Sequence, residues 1–226
     1  MKAYNKIKTL IEKYPYTGSL LWVLCIQYFV VTLVVERSWH TTYSFLDNSI
    51  SDLGNTACGI YSNRLISNSY VCSPRHTLMN MSFILTGILM ISGALFTYPL
   101  FKKSKANLIG FTCIALGGLG AILVGLFPEN TIGGLHTTGA ALNFFVGNIG
   151  LVILGFGLLI PRWVKAYTLF TGFLALIFLV FYSSKVYLGI GLGGTERLVS
   201  YPQTIWLIIF GIYLFRSKYI LKTHNQ

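Results

Sequence analysis

The chain reads as an all-α, polytopic transmembrane helical bundle of six spans, with its N- and C-termini in the cytoplasm. Three observations predict this: a composition starved of charge, six long apolar runs, and basic residues that gather on one side of every crossing. Of 226 residues, 54% are hydrophobic and 10% are charged, and the mean hydropathy is +0.66. A soluble globular chain carries roughly 25% charged residues, because water must wet its surface. A chain with so few charges exposes much of its surface to lipid instead. The length suits a single bundle over residues 1–226.

A helix needs about 20 predominantly apolar residues to cross the hydrocarbon core. Such runs extend from about Ser19 to Val35, Leu78 to Tyr98, Leu108 to Phe127, Thr137 to Ile160, Ala166 to Ile190 and Thr204 to Tyr219. They are continuously apolar, as from Leu174 to Val180, whereas membrane strands alternate apolar and polar residues. Basic residues ahead of the first run imitate a secretory signal. That run ends in Glu36-Arg37-Ser38-Trp39, with no small-residue cleavage pattern, so it reads as an uncleaved span.

Lys2, Lys6, Lys8, Lys13, Lys102, Lys103, Lys105, Arg162, Lys165, Arg216, Lys218 and Lys222 put twelve of the 17 basic residues on one side. Positively charged loops stay inside, so this side is cytoplasmic, and a cell membrane (plasma or inner) is the expected address. Five of the six acidic residues, Glu36, Asp47, Asp52, Glu129 and Glu196, fall on the other side. The net charge of +11 therefore sits at helix ends, where it meets anionic lipid headgroups. No nucleic-acid partner is expected from that distribution.

The outer side holds one long loop, residues 36–75, and two shorter ones around Glu129 and Glu196. Cys58 and Cys72 share the long loop on a face that is oxidising in most cells. A disulfide between them is expected, the alternative being two free thiols. Cys25 and Cys113 lie inside spans and read as small core residues. The stretch from Asn48 to Thr56 is dense in turn and capping residues, and by composition alone it is a solvated turn.

Three segments go further. Ser51-Asp52-Leu53-Gly54 leads to Asn80 at the entry of the second span; Leu126-Phe127-Pro128-Glu129-Asn130 leads to His136; Gly194-Thr195-Glu196-Arg197 leads to Tyr201-Pro202 and Trp206. With these segments the chain resembles a prokaryotic family of six-helix membrane proteins catalogued as a domain of unknown function (number nine hundred and ninety-eight). The resemblance covers almost the whole chain. It implies a six-helix fold and a membrane address, and no activity.

All three segments map to outer helix ends, so Asp52, Glu129, His136, Glu196 and Arg197 are expected at one outward-facing mouth. Lys185, near the outer end of the fifth span, is a candidate to join them. Charge near the membrane is costly unless paired or wet. Plainer readings stand beside this one: Lys185 snorkels to the interface, Glu196 and Arg197 are loop charges, and Arg75 and His76 cap the second helix from outside. Inside the membrane, His136, Ala140, Asn143 and Gly147 fall on one helix face, as do Gly110, Gly117 and Ala121, and Ser82, Thr86 and Gly93. Small residues let helices approach closely in lipid, and Asn bonds between them, so these stripes read as a tight interior.

Several chemistries lack their signatures. There is no His-Glu-x-x-His pair, no phosphate-cradling Gly-x-x-x-x-Gly-Lys loop and no Gly-x-Ser-x-Gly turn. The glycine run from Gly189 to Gly194 follows no strand and reads as a flexible or tightly packed helix end. His40, His76, His136 and Asp52 have no spacing that requires a metal; neither metal nor cofactor is expected. No filter repeat suggests a pore, and the two halves show no inverted match.

The leading expectation is a lipid or amphiphile held at the outer mouth, with Lys185 and Arg197 on an anionic headgroup and Asp52 and Glu196 orienting them or a hydroxyl. The second is an intramembrane lipid hydrolase, with His136 or His76 as base and Asp52 or Glu129 as the orienting carboxylate. The third is a structural or assembly subunit whose outer loop is the contact surface.

Overall fold

The computed structural model describes residues 16–39, 41–61 and 69–217. His40, the lysines at 2, 6, 8, 13, 218 and 222, and the expected end of the last span at Tyr219 lie outside these residues. Among the described residues, six helices are long and apolar enough to cross a membrane: α1 (Thr17–Glu36), α2 (His76–Leu100), α3 (Lys105–Leu126), α4 (Gly133–Gly157), α5 (Arg162–Ser183) and α6 (Gly191–Arg216). Helix α3 starts where Ser104 accepts the Asn107 amide at 3.1 Å, an N-cap that satisfies one orphan donor. Helix α4 widens to a π-turn over Leu142–Gly147.

Each helix packs against its neighbours in sequence, and α6 returns to α1, so the six close into a ring. Outward-facing residues such as Phe156, Phe170, Val180 and Leu95 are exposed, a surface suited to lipid rather than water. The interior holds two apolar clusters. One fills the half of the ring bearing Lys102, Arg162 and Arg216, around Trp22, Phe111, Trp206 and Phe210. Trp206 and Phe210 stack at 4.5 Å, and Trp206 donates to the Thr168 hydroxyl at 2.9 Å. The other cluster, with Tyr28, Leu53, Met79 and Phe83, lies at the opposite end under the long loop. Burial from lipid yields little hydrophobic gain, so close van der Waals fit holds this ring together.

The long loop is ordered by a 3-10 turn, Ser51–Gly54, and an antiparallel hairpin, β1 (Gly59–Tyr61) and β2 (Ser69–Val71), with Gly59 opposite Val71. Cys58 and Cys72 form the expected disulfide at the hairpin's base.

Two boundaries differ from the hydropathy reading by more than four residues. Helix α6 starts at Gly191, not near Thr204, because its polar residues Thr195, Glu196, Arg197 and Ser200 are buried inside the ring. Glu196 and Arg197 are therefore helix residues and not loop charges. Helix α5 stops at Ser183, short of Ile190, although the chain stays apolar through Val186 and Leu188. Lys185 and Leu188 there take positive φ values of 60° and 50°, which no α-helix contains.

Candidate functional site

The site is assembled on the turn from Asn48 to Thr56. Asp52 accepts the Ser49 amide at 2.9 Å, and the Ser49 hydroxyl accepts the Asp52 amide at 3.1 Å. This reciprocal pair is the logic of a capping box, and it fixes the 3-10 turn that presents Ser51. Asp52 also accepts from the Asn48 side chain at 3.3 Å and is fully buried.

Three helix ends then clamp the turn. From α2, Asn80 donates to the Gly54 carbonyl at 2.9 Å. A Cβ on residue 54 would come within 2.4 Å of that same side chain, so the contact requires glycine. From the α3–α4 connection, Glu129 accepts from Asn55 at 3.2 Å, and Asn130 exchanges bonds with the Thr56 amide and hydroxyl. From α6, Glu196 accepts the Ile50 amide at 2.8 Å.

Arg197, one residue on, points to another side of the turn. Its guanidinium donates to the carbonyls of Asn48 and Gly193 at 2.9 and 3.0 Å, to Glu36 at 3.3 Å and to the Tyr43 hydroxyl. The Phe45 ring covers it at 4.1 Å. The residue is 2% exposed, and its charge ties α1, the loop and α6 together. Burial raises the Tyr43 phenol well above its ordinary pKa, so it keeps its proton. Gly193 makes this clasp possible, because a Cβ there would sit 2.0 Å from the Asn48 carbonyl oxygen.

On the Glu196 side lies a hydroxyl–imidazole pair. Ser51 Oγ is 3.0 Å from His136 Nε2, and His136 Nδ1 is 3.0 Å from the Phe127 carbonyl. A carbonyl oxygen only accepts, so the ring proton of the neutral imidazole sits on Nδ1. Nε2 is then the acceptor, and the serine hydroxyl donates to it. Glu196 Oε1 lies farther from the same hydroxyl, at 3.5 Å.

This pair opens into a cleft of about 320 Å³ between α4 and α5. Ser51, Glu129, His136 and Glu196 form its polar end; Ala140, Ala141, Phe144 and Leu179 supply apolar wall. Ser51, Glu196, Ala140 and Phe144 also border a smaller hollow of about 40 Å³ inside the ring, which reaches Asn143 on the π-turn, Ser200 and Thr204. A π-turn often marks a functional site, and here it sets Asn143 and Phe144 against that hollow.

The three resembling segments thus meet on one turn. A family model described as "Protein of unknown function (DUF998)" matches residues 23–213. The chain belongs to that family. No curated protein and no solved structure matches this chain. With six span-length helices, this DUF998 member is a multi-pass integral membrane protein.

Of the residues singled out from the DUF998 sequence, Asp52, Glu129, His136, Glu196 and Arg197 gather around the turn, and Glu129, His136 and Glu196 line the cleft. Lys185 is exposed beyond the end of α5 and lines neither the cleft nor the hollow. His76 starts α2 with its Nδ1 2.9 Å from the Ser73 carbonyl, outside the cleft, and Arg75 is that helix's N-cap residue. Among the described residues, no group of three His, Cys, Asp or Glu side chains gathers as a metal site. Ser51 and Tyr43 were not singled out from the sequence as site residues. Ser51 carried a signal, its place beside Asp52 in the turn motif; Tyr43, one of 14 tyrosines, carried none.

Proposed function

We propose that this protein binds an amphiphile in the α4–α5 cleft, its headgroup against Ser51, Glu129, His136 and Glu196 and its apolar part along Ala140, Phe144 and Leu179. The observation that carries this is the cleft itself, polar at the helix ends and apolar along the bundle. The headgroup class follows from the charges that line it. Among the described residues, two carboxylates and no Lys or Arg border the cleft, and Arg197 is engaged elsewhere. A hydroxyl- or amine-bearing headgroup, which donates hydrogen bonds, fits that lining better than an anionic one.

Native mass spectrometry of the protein in mild detergent tests the binding. Wild-type protein is expected to retain such a lipid. Ala140→Trp, which fills the wall shared by cleft and hollow, is expected to cut its occupancy at least tenfold, about 1.4 kcal/mol of binding. Lys185→Gln is expected to leave it unchanged. Equal retention by wild type and Ala140→Trp would remove the cleft as the site.

The site end is proposed to face outward, into the outer leaflet, since Lys102, Lys103, Lys105, Arg162, Lys165 and Arg216 all mark the opposite end. A membrane-impermeant maleimide on intact cells is expected to ignore Cys58 and Cys72 until an impermeant reductant is added, then to label both. Labelling before reduction would refute the disulfide. Absence of labelling after it would refute the orientation.

A further inference from the structure

We propose that Ser51 and His136 are the nucleophile and general base of an acyl hydrolase that cleaves a carboxylic ester within the bound amphiphile. The inference rests on the amphiphile-binding reading and adds a reaction to it. A serine hydroxyl is a weak nucleophile until a base within hydrogen-bonding reach takes its proton. Here the base stands 3.0 Å away, and its far nitrogen is held by the Phe127 carbonyl, which fixes the tautomer with Nε2 unprotonated. In serine–histidine–aspartate sites a carboxylate fixes that tautomer; here a backbone carbonyl makes the corresponding bond. Glu196 Oε1, at 3.5 Å, is the more distant acceptor of the same hydroxyl proton. The pair is not sealed in the core, because both residues line the cleft. Gly133 lines it as well, in the first turn of α4, where backbone amides lack intrahelical partners and favour negative charge.

The reaction balances with water as the second reactant. Ser51 Oγ bonds to the ester carbonyl carbon as its proton passes to His136 Nε2. The carbon–oxygen bond to the alcohol portion breaks, and the departing alkoxide takes that proton, leaving an acyl group on Ser51. Water then gives one proton to His136 and bonds through its oxygen to the acyl carbon. Ser51 Oγ departs and recovers the proton, and the carboxylic acid is released.

The test is incubation of the full-length protein, in mild detergent, with a long-chain alkyl fluorophosphonate, followed by peptide mass spectrometry. A covalent adduct on Ser51 is expected, together with release of acid from a long-chain fluorogenic ester. Ser51→Ala is expected to abolish both. His136→Gln is expected to slow adduct formation on the order of 10²-fold or more, the usual scale of general-base assistance. The wild-type result does not depend on either variant folding. Wild-type protein that retains lipid in native mass spectrometry, yet gives no Ser51 adduct, would overturn the hydrolase while leaving the binding site standing. An adduct on another residue would also overturn it. Loss of both lipid and adduct would remove the binding reading and the hydrolase with it.

Discussion

Arg197→Met is expected to destabilise the protein by about 3–5 kcal/mol, the scale for removing one partner of a buried ion pair. The side chain is buried and makes four polar contacts, on Glu36, Tyr43 and the carbonyls of Asn48 and Gly193. A methionine fills much of the volume but takes the guanidinium from Glu36 near the membrane end of α1 and a donor from the Asn48 carbonyl. The expected readout is a fall in melting temperature in detergent, or failure to accumulate as folded protein. Arg197→Lys is expected to recover only part of the loss, since an ammonium cannot spread over four acceptors as the planar fork does. Adding Glu36→Gln to Arg197→Met is expected to restore some stability, because it removes the uncompensated charge; the double-mutant cycle gives the coupling. A variant Arg197→Met that melts with the wild type would show that the clasp holds nothing together.

The second large effect is expected where helices touch through bare backbone. A Cβ on Gly87 of α2 would come 2.3 Å from the Gly118 carbonyl oxygen of α3, and one on Gly118 would come 2.7 Å from that of Gly87. On the next contact of the ring, Gly120 of α3 and Gly139 of α4 stand in the same relation, at 2.3 and 2.7 Å. The obstructing atoms belong to helix backbone, so no side chain can rotate aside. The helices must separate, and in lipid little hydrophobic force draws them back. Gly118→Val and Gly120→Val are each expected to cost at least the upper end of the roughly 1–3 kcal/mol typical of overpacking. Gly134→Ala is the control: a Cβ there meets nothing within 4 Å, and a change within about 0.5 kcal/mol is expected. Melting of all three variants in one detergent checks the contrast. Equal melting would mean that the α2–α3 and α3–α4 contacts are looser than these distances.

The fold was legible where the signal is solvent preference. A stretch such as Leu174 to Val180 declares its surroundings residue by residue, so the helices and their number could be read from composition and length alone. The same criterion misplaced the start of α6. Glu196, Arg197 and Ser200 look like loop residues to a hydropathy window, yet the ring buries them against the loop and the hollow. The stripes of small residues announced close packing; the partners of Gly93, Gly110 and Gly117 did not follow, because each is set by how the neighbouring helix is rotated and how deep it sits.

The candidate site divides in the same way. That Asp52, Glu129, His136, Glu196 and Arg197 belong to one end of the bundle followed from where the spans begin and end. Their roles did not. Adjacent in sequence, Glu196 and Arg197 lie about 100° apart around α6, so one borders the cleft while the other closes the clasp on Glu36 and Tyr43. Ser51 meets the His136 imidazole only because α4 brings it there from 85 residues away. The sequence by itself determined the six helices, the membrane as their solvent and the end of the bundle at which polar residues collect, since each of these depends on local composition. Only the tertiary structure decided which polar group faces which, because hydrogen bonds and ion pairs form over a few ångströms between segments that the chain keeps far apart.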